Sequence, residues 1–550
     1  MVSVERQKPN LFFLYFSTNI SLRYSLILFF ILLSFSLTAN EKDDSIAIAK
    51  IQIKVVDIYS NEDTNWLQGL ANKYHIKTKE HVILNALPFK VGDRVTPFQL
   101  KEAERLLRLK SFLRDAKLTL DSGGKLTIEV TESWSLLPTI NLNRTGGENS
   151  SAFGLRDSNF MGLGISTTLR YEKDHQKSGY RMRISAPLNS SNPSFVNMLL
   201  EEYEEGSQQS FAYFQPFYTI DTAHMYSSSI LKSNLETTFY QNDDEIGTAQ
   251  VDTSKLELKY GWLHKRFKNT ALRHSLGFYD YSAEPIQISD LTLTELFKVR
   301  EKSYIYWQWE QHQSDYKVLE NIFITGNKED INFGSQIDFK LGLGHVSFSE
   351  NDRNSLGLID SSMLKLNYTT SLGHQLNDLL IFTSINSDIE LYQNNELDNY
   401  YSLSYKLEFF KPISDKVRFY AKNQSSFQSE FRNIPQSLGG DTGLRGFPVQ
   451  YQYGKKRWLT TLELRYYSNV ELWQTFSFAW VGFADFGRAW DNPLSPNEDR
   501  AALSSLGIGA RIFPLVTSGR HVIHLDLAKP FSDNQNIDSW EWRVQVKNSF

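Results

Sequence analysis

The chain contains no cysteine. That excludes thiolate metal centres, thiol nucleophiles and disulfides, although it does not by itself assign a compartment. Neither charge sign dominates: 58 Lys and Arg stand against 63 Asp and Glu, a formal net charge of −5. A binder that works by neutralising nucleic-acid phosphates needs the opposite balance. No HExxH, GxSxG or GxxxxGK[ST] motif occurs, so hydrolase, zinc-protease and phosphate-loop chemistry have no residues to stand on. The 11 histidines are scattered. His521 and His524 are close, but on a strand their side chains take opposite faces, which argues against a shared metal. Beyond residue 40 there is no apolar run approaching the roughly 20 residues of a membrane helix, and from about residue 136 onward there is no convincing amphipathic helix.

Aromatic residues are plentiful, at 14% with 27 Tyr, 37 Phe and 11 Trp, yet mean hydropathy is −0.39. That combination suits strands alternating apolar and polar residues. The N-terminus carries Arg6, Lys8 and Arg23 ahead of the apolar run Leu26–Leu33, then a more polar stretch ending at Thr38-Ala39. This is signal-peptide grammar over residues 1–39, with a membrane anchor helix as the alternative. If the mature chain lies in a membrane, it crosses as strands.

Residues 46–133 read as a small β-α-α-β-β unit. "SIAIAKIQIKVVDIYS" alternates as a strand, "KTKEHVILNAL" is a short amphipathic helix, and "VTPFQLKEAERLLRLKSF" is a stronger one opened by Thr96 and Pro97. The strands "DAKLTL" and "KLTIEVTES" follow, joined by the turn Asp121-Ser122-Gly123-Gly124. Residues 136–550 read instead as segments of roughly 9–13 residues with period two, the length of a tilted membrane strand. Leu169, Leu256, Leu258, Tyr260, Leu343 and Tyr405 share apolar faces, with Arg170, Glu257, Lys259 and Lys406 opposite; in the last strand Trp540, Trp542, Val544 and Val546 oppose Glu541, Arg543, Gln545 and Lys547. A soluble β-sandwich alternates too. Counting back from the C-terminus, however, the gaps alternate long and short, as in an up-and-down membrane barrel, with the short ones expected at the rim nearest the small unit. The expected fold is mainly β: a transmembrane antiparallel barrel of about 16 strands, with 188–255 open to several partitions. The acidic run "EEYEEG" at 201–206 reads as a solvated rim or a cation site.

The longest gap in the C-terminal half holds "QSLGGDTGLRGFPVQYQYG" at 436–454, where one arginine, Arg445, sits among glycines. In the strands beside it, alternation turns Glu463 and Asp485 inward. An infolded loop whose guanidinium binds both carboxylates is one reading, since the planar fork pairs bidentately and stays charged. A solvated Arg445, with the acids paired to bases such as Arg465, is the other.

"GGDTGLRGF" resembles the Arg-Gly-Phe/Tyr loop of the BamA/TamA superfamily of outer-membrane insertases and secretion pores, which includes the bacterial surface antigen type. "FADFGRAW", "LELRYY", "DSNFMGLGIST", "LGIGARIFP" and "HLDLAKPF" are similar to its strand motifs, and the 46–133 unit resembles a POTRA domain, a periplasmic docking module. The resemblance implies an infolded loop built on Gly439, Gly440, Leu444, Arg445, Gly446 and Phe447, received by Glu463, Asp485 and Gly487 on the lumen wall. It also implies a C-terminal assembly signal in Trp542, Val544, Val546 and Phe550. The implied protein is non-enzymatic, without metal or cofactor. It would lie in the bacterial outer membrane with its small domain in the periplasm, and would insert or translocate unfolded client polypeptides. Its partners would be outer-membrane lipid, the client and assembly proteins, not nucleic acid. Room for a single POTRA unit, and no plug helix, are departures from the best-known members. A passive porin or solute channel, and a surface adhesin or receptor, are the rival expectations.

Overall fold

The computed structural model of the protein describes residues 45–547 apart from 57, 59–74, 189–192, 242–243, 290–298, 324–327, 350–357, 431–435, 473–475, 493–500, 515–521, 533–536 and 538. The expected signal peptide, His521 and Phe550 lie outside the described residues.

The N-terminal residues build a three-stranded sheet with two helices. Strand β1 (Lys50–Val56) runs parallel to the central strand β3 (Lys125–Glu132), which pairs antiparallel on its other side with β2 (Leu113–Leu120). Helix α1 is Glu80–Asn85, shorter than its amphipathic pattern. Helix α2 (Pro97–Arg108) starts where the sequence dictates. Thr96 Oγ1 accepts the Gln99 N–H and Gln99 Oε1 accepts the Thr96 N–H, a reciprocal cap, and Pro97 occupies the first turn, where no N–H is needed. Its inner face delivers Ala103 and Leu107 onto Ile83, Leu126, Ile128 and Val130, the apolar core of this unit. The β2–β3 turn is held by Asp121, whose carboxylate accepts the N–H groups of Gly123 and Lys125 at 2.9 Å each.

From Leu136–Thr145 to Glu541–Lys547 the described residues form a closed antiparallel barrel of 20 strands, not about 16. The difference comes from tight hairpins that lack the usual punctuation. The acidic run at 201–206 is the end of strand Ser194–Tyr203 followed by the turn Glu204-Glu205 into Gly206–Gln215. Glu201 is a buried strand residue paired with Arg181, not a solvated rim. Length also departs from expectation: His224–Gln241, Asp244–Phe267 and Thr270–Ile288 have 18, 24 and 19 residues.

Alternation runs through the wall. Leu169, Leu343, Trp480, Ile508 and Trp542 point outward and are more than half exposed, while Glu463, Arg465, Asp485 and Arg543 point inward and are buried. The N-terminal unit sits at the rim where Gly162 meets Lys77 and where Tyr218 donates to the Ala86 carbonyl. Connections on that rim are not uniformly short. The segment 314–335 lies there and carries its own hairpin, Tyr316–Glu320 with Lys328–Asn332. On the opposite rim, the first strands join through turns as tight as Gly146-Gly147. The expected rule therefore holds only toward the C-terminus.

The barrel closes weakly. The last strand pairs with its sequential neighbour from Val522↔Lys547 to Ala528↔Glu541, but with the first strand, among the described residues, only at Val544↔Arg144. Side chains bridge the rest: Gln545 Nε2 donates to Thr145 Oγ1 at 2.7 Å, and the Val546 N–H to Asn143 Oδ1 at 3.1 Å.

Candidate functional site

The 436–454 loop begins and ends as a three-pair ladder, Gln436↔Gly454 to Leu438↔Gln452. Between these arms the chain doubles back into the barrel. The Leu444 N–H donates to the Gly439 carbonyl at 3.0 Å, and the Gly440 N–H to that of Pro448. A Cβ on Gly439 or Gly440 would lie 2.3 Å from Pro448 O or 2.6 Å from Phe447 O, so only glycine permits the fold-back. The loop supplies its own apolar seat: Leu438, Leu444, Phe447 and Tyr451 pack with Leu459, Ala489 and Leu503 of the wall. Gly487 makes room for it, since a Cβ there would sit 3.1 Å from Leu438 Cδ2.

This packing drives Arg445 inward, where it is 3% exposed. Its Nε lies 2.6 Å from Asp485 Oδ2 and its Nη2 2.8 Å from Asp485 Oδ1, a bidentate fork; Nη1 lies 3.0 Å from Glu463 Oε1. The guanidinium carbon stacks 3.5 Å from the Phe483 ring centroid. Glu463 also takes Arg465 Nε at 2.9 Å, so one carboxylate serves both arginines; the pairing of the acid to Arg465 is present, but Arg445 is buried rather than solvated. A buried guanidinium between two acids is tolerable because each of its three nitrogens finds a carboxylate.

The next residue ties the loop to the barrel's closure. Gly446, at φ +90°, donates its N–H to Glu541 Oε2 at 2.9 Å, and Glu541 Oε1 accepts the Gly147 N–H at 3.1 Å. A single carboxylate on the last strand thus holds both the loop and the first hairpin turn. The loop also lies on that turn: the Val449 N–H donates to Gly146 O, and a Cβ on Gly146 would meet Val449 N at 2.5 Å.

No family model and no curated protein matches the sequence. Among solved structures the chain is similar to BamA from Haemophilus ducreyi lacking POTRA domains 1–3, at 12% identity over 91% of this chain and 85% of that one, TM-score 0.42. It is also similar to CdiB from Acinetobacter baumannii (12%, 91% and 73%, 0.40) and CdiB from Escherichia coli (11%, 93% and 92%, 0.37).

Sequence reasoning had not singled out Glu541, Phe483 or a second charged group on the inner wall. Asp526 accepts Arg511 Nη1 at 2.7 Å and Arg543 Nη2 at 3.1 Å, and Arg543 reaches the Gly440 carbonyl at 3.4 Å. Their signal was present as inward-facing charge in "HLDLAKPF" and "WEWRVQV". What was missing was the strand register that brings them beneath the loop. Of the expected C-terminal signal, Trp542 is exposed on the outer wall, and Val544 and Val546 lie half-buried at the closure.

Proposed function

We propose that this protein is a non-enzymatic barrel of the bacterial outer membrane that inserts or translocates polypeptides, with the 436–454 loop as its latch. The carrying observation is that Arg445-Gly446 grips Asp485 and Glu463 with one residue and Glu541 with the next. The loop thereby spans the junction of the first and last strands, which share a single ladder pair among the described residues. Releasing it frees the lumen and the junction between first and last strands together. The motifs resembling the BamA/TamA superfamily and the apolar outer wall support the same reading.

The N-terminal unit is the client's docking module in this reading, a POTRA-like domain in the periplasm. Its β2 edge is covered by α2, since Glu104 accepts the Leu118 N–H at 2.7 Å and Arg108 donates to the Ala116 carbonyl at 3.2 Å. The β1 edge, Lys50–Val56, pairs on one side only among the described residues and alternates exposed Lys50, Gln52 and Lys54 with half-buried Ile51 and Ile53. An extended client adds there as a further strand. A permanently open porin fits poorly with a lumen that holds the infolded loop, and a surface adhesin gives no role to the buried Arg445.

The test uses the absence of native cysteine. A photoreactive thiol probe on Gln52→Cys in the full-length protein is expected to capture a polypeptide. Depletion of the protein is expected to change outer-membrane or secreted protein levels. No captured polypeptide and an unchanged outer-membrane proteome overturn the reading.

A further inference from the structure

The hairpin of Tyr316–Glu320 and Lys328–Asn332 belongs to the rim opposite the Arg445 loop, yet it too enters the barrel. Buried Glu329 bends its inner end: the carboxylate accepts the N–H of Ile322 at 2.9 Å and of Phe323 at 3.1 Å. Residues 321–323 are thereby turned onto the inner wall. Ile322 packs with Leu380, Phe410 and Tyr420, and Phe323 extends the contact to Tyr467 and Phe513. Each wall residue here comes from the inward-facing set of its strand. The carbonyl of Asn321 accepts the Tyr467 hydroxyl at 3.3 Å and also Arg418, and that of Ile322 accepts Arg465 Nη1 at 3.4 Å.

Arg465 is the link across the lumen. Its Nε holds Glu463, and Glu463 holds Arg445. The hairpin from one rim and the loop from the other therefore share one buried arginine–glutamate pair. On the face opposite Glu329 and Ile331, the hairpin is held by the N-terminal unit. Arg108 of α2 forks onto Asp330 at 2.8 and 2.7 Å, Lys328 pairs with Asp115 at 2.7 Å, and the Arg105 guanidinium lies 4.3 Å from the Tyr316 ring centroid.

We infer that this hairpin is a second lumen stopper, carried by the N-terminal unit and coupled to the Arg445 loop through Glu463–Arg465, so that loosening its hold on α2 loosens both stoppers. The inference rests on the loop being a latch. Displacing α2 removes the Arg108 fork from Asp330, and the hairpin loses that hold. Once residues 321–323 leave the wall, Arg465 loses a carbonyl partner and water reaches Glu463. The higher local dielectric weakens the Arg445 ion pairs. Coupling of this kind is reciprocal, so freeing the loop must also loosen the hairpin.

The experiment uses purified full-length protein without any client. Three single-cysteine reporters are made in the cysteine-free chain: Leu444→Cys in the loop, Ile331→Cys in the hairpin and Val346→Cys in the wall, all buried positions. Maleimide labelling rates are compared with and without Asp330→Ala and Arg445→Ala. Asp330→Ala is expected to raise labelling at 331 and at 444 by about tenfold or more, as loss of a charge-assisted bond implies, and Arg445→Ala to raise both likewise, with position 346 unchanged. If Asp330→Ala exposes 331 but leaves 444 protected, the coupling is overturned. Should it expose neither, the stopper is overturned. If 346 labels too, the barrel has opened generally, and Arg108→Lys is read by the same criteria, since it keeps the charge and loses the fork. Because no client is present, failure here leaves the polypeptide-handling reading standing, and a lack of captured client leaves this test intact.

Discussion

Arg445 is held by geometry that lysine cannot copy. It spans two carboxylates on different strands, Glu463 and Asp485, and stacks on Phe483. Replacing it with alanine leaves Asp485 buried without the fork that neutralises it, the costly way to break an ion pair. An Arg445–Asp485 double-mutant cycle, read by loop protection, is expected to give a coupling of about 1.5–3 kcal/mol; purely additive losses would remove the direct pairing. Arg445→Lys is expected to behave nearly as badly as alanine. In the N-terminal unit, Glu132 is buried and accepts the Thr78 N–H at 2.7 Å, with His75 Nε2 at 3.0 Å. Burial pushes its carboxyl pKa up, but the hydrogen bonds from His75 and Thr78 outweigh it and hold the value below the usual 4.5. A carboxylate depressed in the folded state contributes stability above its unfolded pKa and loses it as pH falls through the folded value. Glu132→Gln is therefore expected to lower the unfolding midpoint at neutral pH, and the gap to the parent is expected to close as pH drops below about 4.5.

Two elements decide where these side chains stand. Helix α2 presents Arg105 and Arg108 to the hairpin and is started by the Thr96–Gln99 cap. Thr96→Ala is expected to cost about 1 kcal/mol of stability and to raise labelling of the Ile331→Cys reporter, linking a local cap to a contact in the barrel. In the loop, Gly446 adopts a backbone conformation that L residues avoid, and its Cβ position lies 3.2–3.3 Å from Pro530 and Ala528. Gly446→Ala is expected to cost at least about 1 kcal/mol of loop protection and to weaken the Glu541 contact. Hydrogen exchange at Gly147, whose N–H shares that carboxylate, checks it. Both elements were legible as sequence, the helix from Thr-Pro followed by spaced leucines, the loop from its glycines. The hairpin at 316–332 was not. "YKVLE" and "KEDIN" are short and mixed in polarity, and their burial depends on Glu329 and on a wall supplied by strands far away in the chain.

At the scale of the whole molecule, a cylinder joined at its ends, among the described residues, by one ladder pair receives a segment from each rim, and the two segments meet at Glu463–Arg465. Full-length protein in a planar bilayer is accordingly expected to pass little current. The Arg445→Ala and Asp330→Ala variants are each expected to show more frequent openings, with a steady large pore only when the two are combined. A large constant conductance in the parent counts against the stoppered lumen. Period-two alternation determined that each strand would have an apolar and a charged face, because a strand's faces are set locally by neighbouring residues, and the alternating gap lengths pointed to a barrel. Alternation also turned Glu463 and Asp485 inward, and the glycine-rich loop singled out Arg445; both are local facts. Only the tertiary structure decided the count of 20 strands, the weak closure, the role of Glu541 and the entry of a hairpin from the second rim. Those depend on register and on which distant strands become neighbours around a closed ring, and no local pattern encodes them.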